Sequence, residues 1–129
     1  MDYTPLTFAP YTVLHEWDTD GKLIYTGADI TADSVYSYSS GRVIAVGKDT
    51  DLFSYSVTVQ YDVFNILRYG NLSEIAVGAG DILQEGTLLG KADRFLHFEY
   101  ATKEQGSSRW PVRVGDQTYW KHDPSELIL

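Results

Sequence analysis

Between Ser54 and Asp62 every second residue is apolar or aromatic. Tyr55, Val57, Val59 and Tyr61 fall on one side of an extended chain, and Ser54, Ser56, Thr58, Gln60 and Asp62 fall on the other. A period of two marks a half-buried strand, because successive side chains of a pleated chain point to opposite faces. The rest of the chain agrees. Residues 42–46, 64–69, 94–100 and 117–120 read as further strands, rich in the β-branched and aromatic residues that suit pleated sheet. Residues 11–17 and 22–25 flank the Asp20-Gly21 pair, a hairpin turn signal. Gly70, Gly78, Gly80, Gly86, Gly90, Gly106 and Gly115 punctuate the intervals. No stretch sustains a helical period, and residues 73–77 are expected to form one short turn at most. The expected fold is therefore all-β, mainly antiparallel sheet, with little or no helix.

The 129 residues suit one domain, spanning 1–129. At 43% hydrophobic and 14% aromatic, the chain can bury a sizeable core. Its formal net charge of -8, with ten scattered Lys and Arg, argues against nucleic acid as a partner. It has no cysteine, which excludes disulfides, thiolate catalysis and cysteine-type zinc sites. No apolar run is long enough to span a bilayer, so no membrane insertion is expected. Met1 to Pro5 does not read as a signal peptide, and the expected location follows from that as cytoplasmic or within a particle.

Five segments, in order, carry a resemblance. They are Tyr25-Thr26-Gly27-Ala28-Asp29-Ile30; residues 35–47, read as a hairpin; Tyr69-Gly70-Asn71-Leu72-Ser73; the glycine-punctuated run 75–90; and Phe95-Leu96-His97-Phe98-Glu99-Tyr100. Together with Asp123-Pro124 they resemble the LytM/lysostaphin family of zinc peptidoglycan endopeptidases. The resemblance covers 25–124, leaving 1–24 as an N-terminal hairpin or extension.

What the resemblance implies about a site is mostly loss. In the family, zinc is held by a His and an Asp of the first motif and the second His of the last. Two further His residues handle the water and the transition-state charge. Here those positions hold Tyr25, Asp29 and His97 for the ligands, and Asn71 and Phe95 for the catalytic pair. A phenol must lose a proton of pKa ~10 to bind zinc. Asn cannot act as acid or base, and Phe can neither give nor take a proton. No catalytic residue and no zinc are therefore expected, with Asp29 and His97 as remnant ligand positions. On the strand, Phe95, His97 and Glu99 share one face, and His97 is expected to pair with Asp29 as a hydrogen-bonded group. His15 and His122 do not obviously replace the lost residues, although a rebuilt site of His97, Asp29 and His122 is conceivable.

The functional expectation is a non-enzymatic structural or assembly protein. By analogy with inactive relatives, it is a virion component of a phage tail tip or baseplate, with other tail or baseplate proteins as partners. Arg109, Trp110, Tyr119 and Trp120 are the candidate partner contacts, since Tyr and Trp are favoured at interface centres. The alternatives are a divergent zinc peptidoglycan hydrolase and a peptidoglycan binder whose groove is lined by Tyr25, Tyr69, Asn71 and Phe95.

Overall fold

The computed structural model describes residues 12–19, 22–49, 52, 54–106, 108, 110–122 and 124, with side chains described from Gly27 onward. Among them every strand pairing is antiparallel and no α-helix occurs. The strands are β1 (Thr12–Thr19), β2 (Lys22–Thr31), β3 (Ser34–Tyr36), β4 (Gly41–Asp49) and β5 (Ser54–Gln60). They continue as β6 (Asn65–Ile75), β7 (Ile82–Leu83), β8 (Leu88–Thr102), β9 (Pro111–Val114) and β10 (Gln117–His122). The path through the sheet is β1-β2-β8-β6-β5-β4-β7.

The 15-residue β8 organises this sheet. Its one edge pairs with β6 from Gly90 to Thr102. Its other edge takes three strands in succession: β3 near Gly90, β2 from Phe95 to Phe98, and β10 from Tyr100 to Thr102. Arg94, between the β3 and β2 segments, has a φ of 72°, and its carbonyl accepts the Ala32 amide at 3.3 Å. A positive φ at a non-glycine residue marks an irregular point in a strand. Here it falls where β8 changes partners.

The alternation at 54–60 forms a strand as expected but not a half-buried one: Ser56 and Thr58 are buried too, and Tyr55 is exposed. Val57 and Val59 are fully buried in the main core with Val43, Leu67, Tyr69, Leu72, Leu89, Leu96 and Phe98. Burying a residue of this size is worth roughly 1.5–3 kcal/mol, so this face of the sheet carries most of the stabilisation. Tyr69 packs edge-on against Phe98, with ring centroids 5.3 Å apart, and its hydroxyl accepts the Tyr38 amide at 2.9 Å. A smaller cluster, Ile66, Ala101 and Tyr119, lies under the β9–β10 hairpin.

Three expectations change. Residues 35–47 do not form a hairpin: β3 pairs with β8, whereas β4 pairs with β5 and β7. Residues 73–75 are not a turn, because β6 runs on to Ile75 against β8. The strand at 94–100 is longer at both ends. Its polar first half is held by β3 and the end of β6, pairings that no local pattern reveals. The hairpin expected around Asp20-Gly21 is formed by β1 and β2 and pairs Thr19 with Lys22. The turn residues Asp20 and Gly21 lie outside the described residues.

Candidate functional site

The face of β8 opposite the main core carries His97 and Glu99, and both are buried, at 2% and 1% exposure. Register supplies their neighbours. Asp29 of β2 stands directly across from His97, and Arg68 of β6 directly across from Glu99. Lys121 of β10, paired with Ala101 of β8, comes in from the third strand.

The five side chains form a chain of contacts. His97 Nδ1 lies 2.8 Å from Asp29 Oδ1, and its Nε2 lies 2.8 Å from Glu99 Oε2. The Arg68 Nη1 donates to Glu99 Oε1 at 2.7 Å, and Lys121 Nζ donates to Glu99 Oε2 at 2.8 Å. The Lys121 ammonium also sits 4.5 Å from the centre of the Trp110 ring, a cation–π contact on the far side of the cluster. Burial by itself disfavours the charged imidazole, but hydrogen bonds to Asp29 and Glu99 and their negative charges outweigh it. The pKa of His97 is therefore raised. For Glu99 burial works toward the neutral acid. The hydrogen bond from His97 and the charges of Lys121 and Arg68 prevail and lower its pKa.

Gly27 makes room for this. It has a φ of +143°, and a Cβ there would lie 2.7 Å from His97 Cε1 and 2.9 Å from Nε2. The imidazole rests on bare backbone, a close approach that only glycine permits.

The positions where the family places its catalytic histidines do something else. Asn71 has a φ of 60°, a left-handed conformation that Asn tolerates better than most residues. Its Nδ2 donates to the carbonyls of Asp93 at 3.1 Å and Phe95 at 2.9 Å. This bridges the point where the β6–β8 ladder breaks register. Replacing Asn71 by Ala should lose both bonds and strain the backbone, at a cost of about 1–3 kcal/mol. Urea unfolding would measure it, and a midpoint unchanged from the parent would remove the structural role. Phe95 is half-buried and pairs with Thr31.

Of the proposed partner contacts, Tyr119 is 2% exposed and packs against Ile66 and Ala101, so it offers no surface. Trp110 is half-buried beside Lys121, Trp120 is half-buried, and Arg109 lies outside the described residues. Of the proposed groove residues, Tyr69 is fully buried in the core and the Asn71 amide faces the backbone of β8. Neither Tyr69 nor Asn71 therefore offers its side chain to a groove. The Tyr25 and His15 side chains lie outside the described residues. His122 is not brought to His97; its Nε2 donates to the Glu104 carbonyl at 2.7 Å.

Comparison with solved structures decides what this sheet is. The catalytic domain of the prophage-encoded protein EnpA from Enterococcus faecalis aligns over 95% of this chain and 95% of its own, with a TM-score of 0.62. The fold is that of the lysostaphin-type peptidase domains. The catalytic domain of the antimicrobial peptidase lysostaphin from Staphylococcus simulans aligns over 96% of this chain and 90% of its own, with a TM-score of 0.61. A chain of the SpoIIQ–SpoIIIAH pore forming complex aligns over 98% of this chain and 89% of its own, at 0.64. Sequence identities are 18%, 19% and 18% respectively, so the likeness is one of fold. Against a longer lysostaphin structure this chain spans only 43% of the length. No family model matches the sequence, and no curated protein sequence matches it.

Peptidases of this type imply a zinc ion, and the residues can be tested for it. Both nitrogens of His97 are already taken up by carboxylates, Nδ1 by Asp29 and Nε2 by Glu99. No group of three His, Cys, Asp or Glu side chains able to hold a metal occurs among the described residues. The described residues do not fit a zinc centre of the lysostaphin type.

The sequence pointed to the His97–Asp29 pair. It missed Arg68 and Lys121, which join only through the β6–β8 and β8–β10 registers. Glu99 carried a signal, since a carboxylate two residues from His97 on a strand must share its face.

Proposed function

We propose that the chain is a non-catalytic structural or assembly module on the peptidase fold, and that it serves in a virion as a subunit of a tail tip or baseplate. One observation carries the non-catalytic part. The only histidine at the ancestral metal position has both ring nitrogens engaged, by Asp29 and Glu99, and Asn71 is a backbone clasp. A peptidase of this class needs an open metal position for water and a base to take its proton. Neither is offered by the described residues. The cluster instead joins three strands, β2, β8 and β6, to the β9–β10 hairpin, which suits a domain kept for its shape.

The virion placement rests on analogy. Inactive domains of this fold occur as assembly parts, one neighbour in fold belongs to a pore forming complex, and another is prophage-encoded. Partners are then other tail or baseplate proteins, with peptidoglycan as a further surface to meet.

Elemental analysis of the purified chain and digestion of isolated sacculi test the first half. The expected result is sub-stoichiometric zinc and no release of wall fragments. Stoichiometric zinc with chelator-sensitive hydrolysis would establish the alternative, a divergent zinc hydrolase. Sacculus pull-down tests the other alternative, a wall-binding module. Recovery of the chain in purified particles tests the second half, and its absence from them would remove the virion assignment.

A further inference from the structure

At the end of the sheet remote from Arg94, the start of β6 and the ends of β8 and β10 frame an open cleft of about 310 Å³. It is lined by Phe64, Asn65, Tyr100, Thr102, Glu104 and His122, with Gly106 at its rim. Two features make it unusual for a surface hollow.

The first is a large apolar ring fixed in water. Phe64 is 60% exposed. Its amide donates to Asp62 Oδ1 at 2.8 Å, and its carbonyl accepts the Lys103 amide at 2.9 Å. Asp62 in turn accepts both bonds of the Asn65 Nδ2, at 2.8 and 2.7 Å. The backbone is pinned, so the exposed ring is positioned. Across the cleft Tyr100 and His122 present two more rings, with centroids 6.1 Å apart.

The second is the sign of the polar groups. The Glu104 backbone is held by Thr102 Oγ1 and His122 Nε2, which leaves its carboxylate exposed at the rim. The Asn65 amide nitrogen is taken by Asp62, which turns Oδ1 toward Tyr100. The Asn65 Oδ1 accepts the Tyr100 hydroxyl at 3.4 Å, and the Glu104 carboxylate is the exposed acidic group of the described lining. Among the described residues no Lys or Arg lines the cleft.

Aromatic faces and a carboxylate together recognise a cation that carries N–H donors. We propose that this cleft receives a guanidinium or alkylammonium side chain from a basic segment of a partner protein. Charge complementarity favours that occupant, since the chain carries a net charge of -8. The inference rests on the interaction-module reading above. Zinc content and wall hydrolysis test that reading separately, so either can fail alone.

The test uses the ¹⁵N-labelled full chain titrated with N-acetylarginine amide, and with N-acetylcitrulline amide as an uncharged isostere. Saturable shifts at the amides of Asn65, Glu104 and Gly106 are expected for the arginine compound. The citrulline compound should bind about three- to fivefold more weakly. Glu104→Gln should reduce arginine binding to the same extent, and Phe64→Ala about two- to fivefold. Both residues are exposed, so the variants should melt like the parent. Equal binding of the two compounds would overturn the proposal. So would shifts confined to other residues, no saturable shift, or retention of full affinity in both variants.

Discussion

Replacing Glu99 by Gln should destabilise the chain by about 3–5 kcal/mol, the usual cost of removing one partner from a buried ion pair. Glu99 is 1% exposed and is the shared acceptor for Arg68, Lys121 and His97. Gln has nearly the same shape, so packing is preserved. What changes is that two buried cations and an imidazole lose their common anion. The melting temperature should fall on the order of 10 °C or more. The combined variant Glu99→Leu, Arg68→Leu, Lys121→Met should recover much of that loss, because buried charge clusters replaced whole by apolar side chains are often neutral or stabilising. A Glu99→Gln protein melting within about 2 °C of the parent would show that the cluster contributes little.

Stability should peak in mildly acidic solution and fall on both sides, for opposite reasons. His97 binds its proton more tightly folded than unfolded, so its contribution is complete below the ordinary value of 6.5 and is lost as pH rises through the raised folded value. Glu99 has a lowered folded value. Its contribution is complete above the ordinary 4.5 and is lost as pH falls through that folded value. Both are fully present only between 4.5 and 6.5. Melting curves from pH 4 to 9 should show this maximum. In a His97→Gln variant the alkaline decline should flatten while the acidic one persists. A variant that keeps the alkaline decline would assign it to another group.

The sequence made β5 legible because Val57 and Val59 alternate with Ser56 and Thr58, although the structure buries all four, Ser56 at 5% and Thr58 at 4% exposure. It was less informative for β8. Residues 96–99 are buried on both faces, because the charged cluster lies under one face as deeply as the core lies under the other. A polar residue normally signals solvent, and nothing local in the sequence marks Arg68 or Lys121 as buried. Their burial depends on meeting Glu99, and the registers that bring them together link residues up to 31 positions apart. The short strands β3, β7 and β9 were missed for a related reason. Two to four residues cannot display a period, and each exists because a longer neighbour offers it a ladder. Asn71 and Phe95 were read as chemically incapable of the family's proton transfers. The clasp that Asn71 forms needed the φ of 60° and the break in the β6 ladder, neither of which a residue type reveals.

The place of β8 bears on how such a chain comes off the ribosome. β2, β3 and β6 all precede it, yet each needs β8 to complete its pairing, and Asp29 waits 68 residues for His97. Until residue 102 has emerged from the exit tunnel, β2 and β6 each have an open edge, and the hydrophobic strip of Val57, Val59 and Leu67 lacks Leu96 and Phe98. Contacts of this range close slowly, and unpaired edges invite pairing with other chains. Overproduction should therefore favour inclusion bodies at high synthesis rates and soluble protein at low temperature, when nascent chains are fewer and each has time to receive its central strand.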